Sequence, residues 1–293
     1  MKPPRFDYVA PQTVAEVVSL LQRHEGEAKV IAGGQSLMPL LNMRLARPSL
    51  LVDVNGLRDL DYIREEGGAI AIGAMTRKRA VERSELVRRR QPLLHAATCL
   101  VAHPQIRNRG TVGGSLAQAD PAAEYPAVAV ALDAELRAVG PGGERTVKAA
   151  DFFLSYLTTA LEPAELLVEA RFPVLPERTG WSVLEVARRH GDFALTGVAV
   201  TMTLGGGGRS TAARIVLFGV GPTPLRARQA EEAVVGGTPG EAVFAEAARR
   251  ADQAILEPLS DVHATAEYRR HLARVLVRRG LAEAAARARG EVV

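Results

Sequence analysis

The stretch KVIAGGQSLMPLL, Lys29 to Leu41, joins two apolar runs through two adjacent glycines and two small polar residues. Its first half predicts a short buried strand that ends in a turn at Gly33 and Gly34, and its second half predicts a helix from Ser36 to Ala46. Glycine lacks a Cβ and adopts positive φ readily, so the N–H groups of such a turn can point into one concavity and bind an anion. A tight connection between a strand and a helix is the simpler explanation of an isolated glycine pair.

A second glycine pair lies in RNRGTVGGSLAQ, Arg107 to Gln118. Thr111, Gly113, Gly114 and Ser115 offer the same chemistry as the first pair. Because a helix that follows such a turn adds its N-terminal dipole, the site attracts phosphate oxygens. Two turns of this kind, both beside hydroxyl residues, favour a bound dinucleotide.

One alternative is a Rossmann nucleotide site. Asp53 closes the predicted strand LLVDVN about twenty residues after the first glycines, where that fold places a ribose-binding acid. The stretch AGGQSL, however, lacks the third glycine of the GxGxxG motif, which allows a helix to pack closely on a strand. The sequence therefore disfavours this alternative.

Length and composition bound the architecture. With 293 residues, of which 47% are hydrophobic and 24% charged, the chain is typical of a globular protein with two or three packed units. No run approaches the roughly 18 apolar residues of a membrane span, and prolines and charges occupy the N-terminus where a secretory signal needs an apolar core. We therefore expect a cytoplasmic protein with no membrane span.

Residues for metal or covalent chemistry are few. The single cysteine, Cys99, cannot form an internal disulfide, and an iron–sulfur cluster or structural zinc needs about four ligands, so thiolates of this chain hold neither. The six histidines show no spacing typical of a metal site, and no Ser/His/Asp or Cys/His arrangement indicates covalent catalysis. We expect no metal site and name no acid–base catalyst.

The formal net charge is +4, and arginines cluster in TRKRAVERSELVRRRQ, Thr76 to Gln91, and in the last thirty residues. Nucleic-acid binding is one interpretation of these clusters. Acidic residues at helical spacing and a scarcity of aromatic residues favour instead a solvated helix face or a docking surface for a protein. The sequence predicts one arginine-rich helix from Arg77 to Arg90 and no nucleic-acid partner.

Short strands and helices alternate over the first part of the chain. Thr13 and Glu16 form a capping box at the start of an amphipathic helix that ends at His24. A polar, proline-broken loop precedes Thr111, and the alanine-rich run after Glu124 favours helix. The other predicted elements are strands in LLVDVN, AIAIGAM, ELRAVG and LLVEARFP and a helix from Ser84 to Leu100 that breaks at Pro92.

Beyond Pro176 the pattern changes to antiparallel strands, with Gly205 to Gly208 as a hairpin turn, followed by helices. This order predicts a separate C-terminal α+β domain over residues 177–293. The predicted helices of this domain lie in Arg226 to Val235, Glu241 to Ile255 and His263 to Ala286.

Three motifs together resemble one known family. KVIAGGQSLMPLLNMRLARPSLLVDVNGL, RNRGTVGGSLAQADPAAEYPAVAVALDAEL and EVARRHGDFALTGVAV are similar, in order and spacing, to the flavin-binding medium subunit of the molybdenum hydroxylases. This family contains carbon monoxide dehydrogenase and bacterial xanthine dehydrogenase. The resemblance implies an α+β fold with a flavin domain of the vanillyl-alcohol-oxidase (PCMH) type over residues 1–176, divided into 1–56 and 57–176, before the C-terminal domain.

The resemblance also implies a non-covalent FAD and the residues that hold it. The implied cofactor-binding residues fall in the first loop, in the second loop and at four later positions. They are Lys29, Val30, Ala32, Gly33, Gly34, Gln35, Ser36 and Leu37; Thr111, Val112, Gly113, Gly114 and Ser115; and Glu124, Leu167, Asp192 and Phe193. The resemblance places Lys29 and Val30 near the adenosine, and Asp192 and Phe193 near the isoalloxazine. Glu185 lies at or near a position where some relatives carry lysine, which puts a cationic flavin partner there in doubt.

The resemblance implies a role within a complex. An iron–sulfur small subunit would pass electrons from a molybdenum large subunit to this FAD, in a heterotrimer that dimerises, and the flavin would pass them to NAD, a quinone or another acceptor. Two alternatives are a self-sufficient flavin oxidase or reductase of the same superfamily and a scaffold subunit without flavin. Neither glycine loop contains a histidine or cysteine to tether a flavin, and both loops keep their glycines.

Overall fold

The structure, a computed structural model, describes residues 2–292. The first part of the chain forms a three-stranded parallel sheet in the order β1-β3-β2. Its elements are β1 (Asp7–Val9), α1 (Val14–Arg23), β2 (Ala28–Ile31), α2 (Leu37–Asn42) and β3 (Leu50–Asp53). The predicted start of α1 is confirmed, since the Glu16 N–H donates to Thr13 Oγ1 at 3.2 Å. Strand β1 was not predicted, because three residues are too few to show an alternation.

The second part forms a five-stranded antiparallel sheet with helices on one face. Its elements are β4 (Ile63–Glu66), β5 (Ala69–Gly73), α3 (Lys78–Arg83), α4 (Glu85–Arg90), α5 (Pro92–Leu100), α6 (Pro104–Arg109), α7 (Val112–Gln118), α8 (Glu124–Ala131), β6 (Glu135–Gly140), β7 (Gly143–Lys148), α9 (Ala149–Phe152), β8 (Phe153–Ser155), β9 (Thr158–Thr159) and β10 (Leu166–Pro173). The strand order is β4-β5-β10-β6-β7, with β8 and β9 forming a separate hairpin. The buried central strand β10 is the predicted strand LLVEARFP.

Two predictions in this part are wrong. The single helix from Arg77 to Arg90 is two helices, because Ser84 ends α3 and its Oγ accepts the Val87 N–H at 3.2 Å as the cap of α4. The polar loop before Thr111 contains helix α6, which begins at Pro104. Proline is tolerated at this first position because an N–H there would have no acceptor within the helix. The predicted break at Pro92 and the helix after Glu124 are confirmed.

The third part is a four-stranded antiparallel sheet in the order β11-β12-β13-β14, covered on one face by helices. Its elements are β11 (Thr179–Ala187), β12 (Ala194–Leu204), β13 (Ser210–Phe218), β14 (Leu225–Arg226), α10 (Arg228–Val234), α11 (Glu241–Gln253) and α12 (Ala266–Ala288). Helix α12 lies directly on β11, because a Cβ on Gly180 would be 1.8 Å from the Ala284 carbonyl oxygen. The predicted hairpin turn at the four glycines is confirmed between β12 and β13.

Helix α8 joins the second part to the third. It is buried along its whole length, and Tyr125 and Val128 belong to the same hydrophobic cluster as Leu94 of α5 and Phe218 of β13. The predicted boundary between residues 176 and 177 falls between β10 and β11. Across residues 2–292, the structure contains no helix with the length and apolar character that a membrane crossing needs.

Candidate cofactor site

Both glycine loops line one cavity of about 420 Å³, a size within the range of small-molecule and cofactor sites. Most of the predicted site residues line this cavity. They are Lys29, Val30, Ala32, Gly33, Gly34, Gln35, Ser36, Leu37, Thr111, Gly113, Gly114, Ser115 and Leu167. Strands β2 and β10 and helix α7 therefore bring together residues that lie far apart in the sequence.

The first loop, Ala32–Ser36, follows β2 and has the backbone that the sequence predicts. Gly34 has a φ of +71°, in the left-handed region that favours glycine. A Cβ on Gly33 would lie 2.3 Å from the Arg109 carbonyl oxygen, so no side chain fits there. Within residues 2–292, the backbone N–H groups of residues 33–36 donate to no protein acceptor. The loop thus presents a run of free donors at the cavity.

Side chains hold the first loop in place. The Gln35 side chain donates to the Gly33 carbonyl at 2.7 Å, and the Asn55 side chain donates to the Ala32 carbonyl at 2.8 Å. Asp53 in turn accepts from the Asn55 side chain at 2.6 Å and from the Tyr8 hydroxyl at 2.5 Å. Asp53 therefore supports the loop through Asn55.

Ser36 stands at the N-cap of α2, as predicted, but its side chain makes no capping hydrogen bond. Its φ and ψ of −100° and −44° are helical, whereas a capping serine has extended backbone. The residue instead lines the cavity.

The second loop, Thr111–Ser115, has a different backbone from the one we predicted. Gly113 and Gly114 lie in the first turn of α7 with negative φ, and the Thr111 hydroxyl caps this helix by accepting the Gly114 N–H at 3.0 Å. Gly113 is required for close packing, because a Cβ there would lie 2.5 Å from the Ala74 Cβ. The prediction of a positive-φ turn at this pair is wrong, since the pair follows no strand.

The two loops are in direct contact. A Cβ on Gly114 would lie 3.8 Å from the Ala32 Cβ, and Gly33 packs on the residues just before the second loop. Arg77 links the same segments, because its guanidinium donates to the Arg109 carbonyl and to Asn55 Oδ1, the latter at 2.7 Å. The loops therefore form the wall of one site.

Sequence reasoning missed a lysine in this wall. Lys78, at the start of α3, lines the cavity, is 7% exposed, and donates from Nζ to Ser115 Oγ at 3.0 Å. Burial lowers the pKa of Lys78 to about 8, and the charge of Glu124 opposes this shift. The segment around Lys78 is rich in arginine, so its pattern indicated a solvated face.

Two carboxyl groups interact near Lys78, the buried Glu124 and the half-buried Glu185. Burial raises the pKa of Glu124, which lies in the first turn of α8. Burial and the charge of Glu124 also raise the pKa of Glu185, on β11, to about 8. Two of the predicted site residues, Glu124 and Val112, are buried outside the lining of the cavity.

The structure does not bring the last two predicted site residues into the cavity lining. Asp192 and Phe193 lie in the loop between β11 and β12, and the Phe193 side chain is 60% exposed. This loop rests on His103, because a Cβ on Gly191 would lie 2.5 Å from the imidazole.

The β8–β9 hairpin supplies a further wall that the sequence did not predict. Thr158, Thr159 and Leu161 line the cavity from this hairpin and the chain after it. The residues are distant in sequence from both loops and carry no motif, so no signal identified them.

The lining fits a dinucleotide such as FAD. The free N–H groups of the first loop supply donors for a phosphate group and Lys78 supplies positive charge, while Leu166 and Leu167 supply an apolar wall. Within the described residues, no histidine or cysteine lines the cavity, and no group of three or more His, Cys, Asp or Glu residues is placed to hold a metal ion.

Comparison with known proteins identifies the family. Residues 4–175 match the model of the FAD-binding domain in molybdopterin dehydrogenase, and residues 181–284 match the CO dehydrogenase flavoprotein C-terminal domain. Subunit alpha of the 6-hydroxypseudooxynicotine dehydrogenase complex of Paenarthrobacter nicotinovorans is 45% identical, over 99% of this chain and 97% of its own. The carbon monoxide dehydrogenase medium chain of Hydrogenophaga pseudoflava is 42% identical, over 98% and 99%.

A solved structure of carbon monoxide dehydrogenase from Hydrogenophaga pseudoflava superimposes with a TM-score of 0.95 at 43% identity, covering 98% of this chain and 99% of that chain. The predicted fold class and the predicted FAD cofactor are thereby confirmed, and the Rossmann alternative is wrong. The chain belongs to the family of FAD-binding flavoprotein subunits of molybdopterin dehydrogenases, oxidoreductases of the carbon monoxide dehydrogenase type.

Proposed function

We propose that this chain is an electron relay: its FAD takes electrons from iron–sulfur clusters of a partner subunit and passes them to NAD, a quinone or another acceptor. The observation that carries the proposal is that both glycine loops line one cavity, where the backbone N–H groups of residues 33–36 are free. Such a site is suited to hold a dinucleotide without a covalent bond.

FAD supplies the redox chemistry, since it stores two electrons and exchanges them one at a time. The chain's own residues bind and orient it. The first loop would donate backbone hydrogen bonds, the second loop would line the site with Thr111 and Ser115, and Leu167 would contribute an apolar contact. The assignment of the predicted residues to FAD, including the buried Glu124 and the exposed Asp192 and Phe193, is part of this proposal. No residue of the chain is assigned an acid–base role.

The electrons must come from another chain. Cys99 is the only cysteine, so this chain's thiolates cannot hold an iron–sulfur cluster. The relatives are named as a medium chain or as a subunit of a complex. We propose that an iron–sulfur small subunit and a molybdenum large subunit bind this chain in a cytoplasmic heterotrimer that dimerises, with the molybdenum cofactor and the clusters in those partners.

The partner also sets the substrate. Chains similar to this one belong to dehydrogenases named for carbon monoxide, caffeine and glyceraldehyde. The simplest explanation for similar flavin subunits in enzymes with such different substrates is that the flavin subunit does not contact the substrate. We propose the same division here, with residues 1–176 as the flavin domain and 177–293 as the C-terminal domain.

The arginine-rich segment carries less free charge than its sequence indicates. Arg79 pairs with Glu82 at 2.8 Å, Arg88 with Glu85 at 2.7 Å and Arg90 with Glu65 at 2.6 Å. Paired charges on an exposed face suit a solvated surface better than a phosphate backbone. This pairing supports a protein partner over a nucleic acid.

Anaerobic electron transfer tests the proposal. The complex is purified through a tag on this chain, its iron–sulfur subunit is separated and reduced with dithionite, and the reduced subunit is mixed with the FAD-loaded chain. We expect rapid bleaching of the flavin absorbance. A flavin that the reduced subunit does not bleach, but that an organic substrate reduces in the isolated chain, would instead indicate a self-sufficient flavin enzyme.

A further inference from the structure

The ammonium group of Lys78 is buried without a carboxylate partner. Its side chain is 7% exposed, its Nζ donates to Ser115 Oγ at 3.0 Å, and it lies 5.0 Å from the centre of the Tyr125 ring. Within residues 2–292, no carboxylate oxygen lies within 4 Å of this nitrogen. A buried cation without a counterion is costly, so the protein alone leaves this charge poorly compensated.

Lys78 lies in the wall of the cavity, beside the second glycine loop. Lys78 and Ser115 both line the cavity, and the Lys78 N–H donates to the Gly110 carbonyl at 2.9 Å, which fixes α3 beside the second loop. A Cβ on Gly110 would lie 3.6 Å from the lysine Cδ, so the glycine leaves room for the stem. An ammonium has three N–H donors, and the protein occupies one of them.

We propose that Lys78 is a cofactor-binding residue whose ammonium pairs with the pyrophosphate of FAD at the second glycine loop. This inference rests on the proposed function. The pyrophosphate is the anionic group of oxidised FAD, whereas adenine and the oxidised flavin ring are neutral, so the compensating charge comes from the phosphates. A lysine pairs with phosphate as a point charge and adds to the backbone donors of the first loop.

The groups that surround Lys78 set how this pairing responds to pH. Glu124 on α8 is the charged group that acts on Lys78, Asp120 beyond α7 acts on Glu124, and Glu124 in turn acts on Glu185 of β11. Burial raises the pKa of each of these three carboxyl groups, so each of them gains protons more readily than an exposed acid. Burial lowers the pKa of Lys78 to about 8. FAD affinity should therefore fall as the pH rises through this value.

Titration of FAD onto the full chain, expressed without flavin, tests the inference. The Kd is measured by quenching of flavin fluorescence from about pH 6 to about pH 10. The variant is Lys78→Met, and the control is Lys148→Met, an exposed lysine at the end of β7. We expect Lys78→Met to raise the Kd at neutral pH about tenfold to a hundredfold and to remove the loss of affinity above about pH 8. Lys148→Met should match the wild type.

Fragments of the cofactor locate the contact. ADP carries the phosphates without the flavin, and riboflavin carries the flavin without the phosphates. Lys78→Met should weaken ADP binding and leave riboflavin binding unchanged. Equal ADP affinity in the variant and the wild type overturns the inference, as does a loss confined to riboflavin. If the wild type and Lys78→Met bind FAD equally well, the role of the lysine is refuted but the proposed function is not. A wild-type chain that binds no FAD refutes the proposed function itself.

Discussion

The two glycine loops, AGGQS and TVGGS, share a glycine pair and a nearby serine but have different backbones. In each pair the first glycine is required because another segment lies too close for a Cβ, 2.3 Å at Gly33 and 2.5 Å at Gly113. The second glycines differ: Gly34 is left-handed and follows a strand, whereas Gly114 is helical and lies over the Thr111 cap. The first glycine of each pair is thus required by close packing, whereas the second glycine serves a left-handed turn in one loop and a helix start in the other. The run of free N–H donors lies in the first loop.

The largest expected effect on stability comes from replacing the first glycine of either pair, where another segment packs closely on the loop. Gly33→Val and Gly113→Val each place a side chain against backbone or a Cβ that cannot move aside, so each should lower the free energy of unfolding by about 4 kcal/mol. Urea denaturation of each variant measures this loss. Gly142→Val is the control, because a Cβ there meets no atom within 4 Å. Near-wild-type stability in either loop variant would contradict the packing role.

Removing the charge of Lys78, which bonds Ser115 of the second loop, should raise the free energy of unfolding instead of lowering it. Burial holds the folded-state pKa of Lys78 at about 8 against 10.5 for a free lysine. Between these values the unfolded chain binds more protons, so the wild-type stability rises with pH over this window, and below it the charged lysine costs about 3 kcal/mol.

Lys78→Met in the flavin-free chain should therefore raise the free energy of unfolding at neutral pH by about 3 kcal/mol and flatten its rise between about pH 8 and 10. Thermal and urea denaturation at several pH values measure both effects. A less stable variant at neutral pH would show that the ammonium stabilises the empty fold, contrary to our account.

The left-handed backbone of the first loop gives a smaller effect. Gly34→Ala should cost about 1 to 2 kcal/mol of stability and weaken FAD binding, because alanine resists a φ of +71°. Gly26→Ala is a matched control: it has a φ of +79° in the turn after α1, outside the cavity lining, and a Cβ there meets nothing within 4 Å. Both variants should lose similar stability, and the loss of FAD affinity should be confined to Gly34→Ala. Equal FAD affinity in the two would contradict a role for the first loop.

The smallest expected effect is that of the helix cap in the second loop. Thr111→Val removes the acceptor of the Gly114 N–H and should cost about 1 kcal/mol, whereas Thr111→Ser keeps the hydroxyl and should stay close to the wild type. Urea midpoints distinguish the two variants. Valine and serine with equal stability would show that the cap contributes nothing to this loop.

Much of the first loop could be predicted from sequence, because a buried strand, a glycine turn and a helix follow one another within thirteen residues. The break at Pro92 and the cap at Thr13 were predictable for the same reason, since each rests on local geometry. The helical backbone of Gly113 and Gly114 was not, because it depends on contact with Ala74, a residue distant in the sequence.

Lys78 shows more clearly which site residues could not be predicted from the sequence. A lysine among arginines is typical of a solvated face, and only the packing of α3 against the second loop and α8 buries this one. The resemblance to a family supplied the predicted contacts Glu124, Asp192 and Phe193, which lie outside the cavity lining. Site residues that belong to a local sequence motif could therefore be predicted more reliably than residues whose position depends on tertiary contacts.

The central claim is that the two loops form one non-covalent FAD site, and the flavin content of the purified chain tests it most directly. The visible spectrum is recorded for the chain alone, before and after addition of FAD, and again for the supernatant after denaturation. We predict one flavin per chain, all of it released into the supernatant as FAD. A chain that carries no flavin and takes up none, or a flavin that stays with the precipitated protein, would contradict the account.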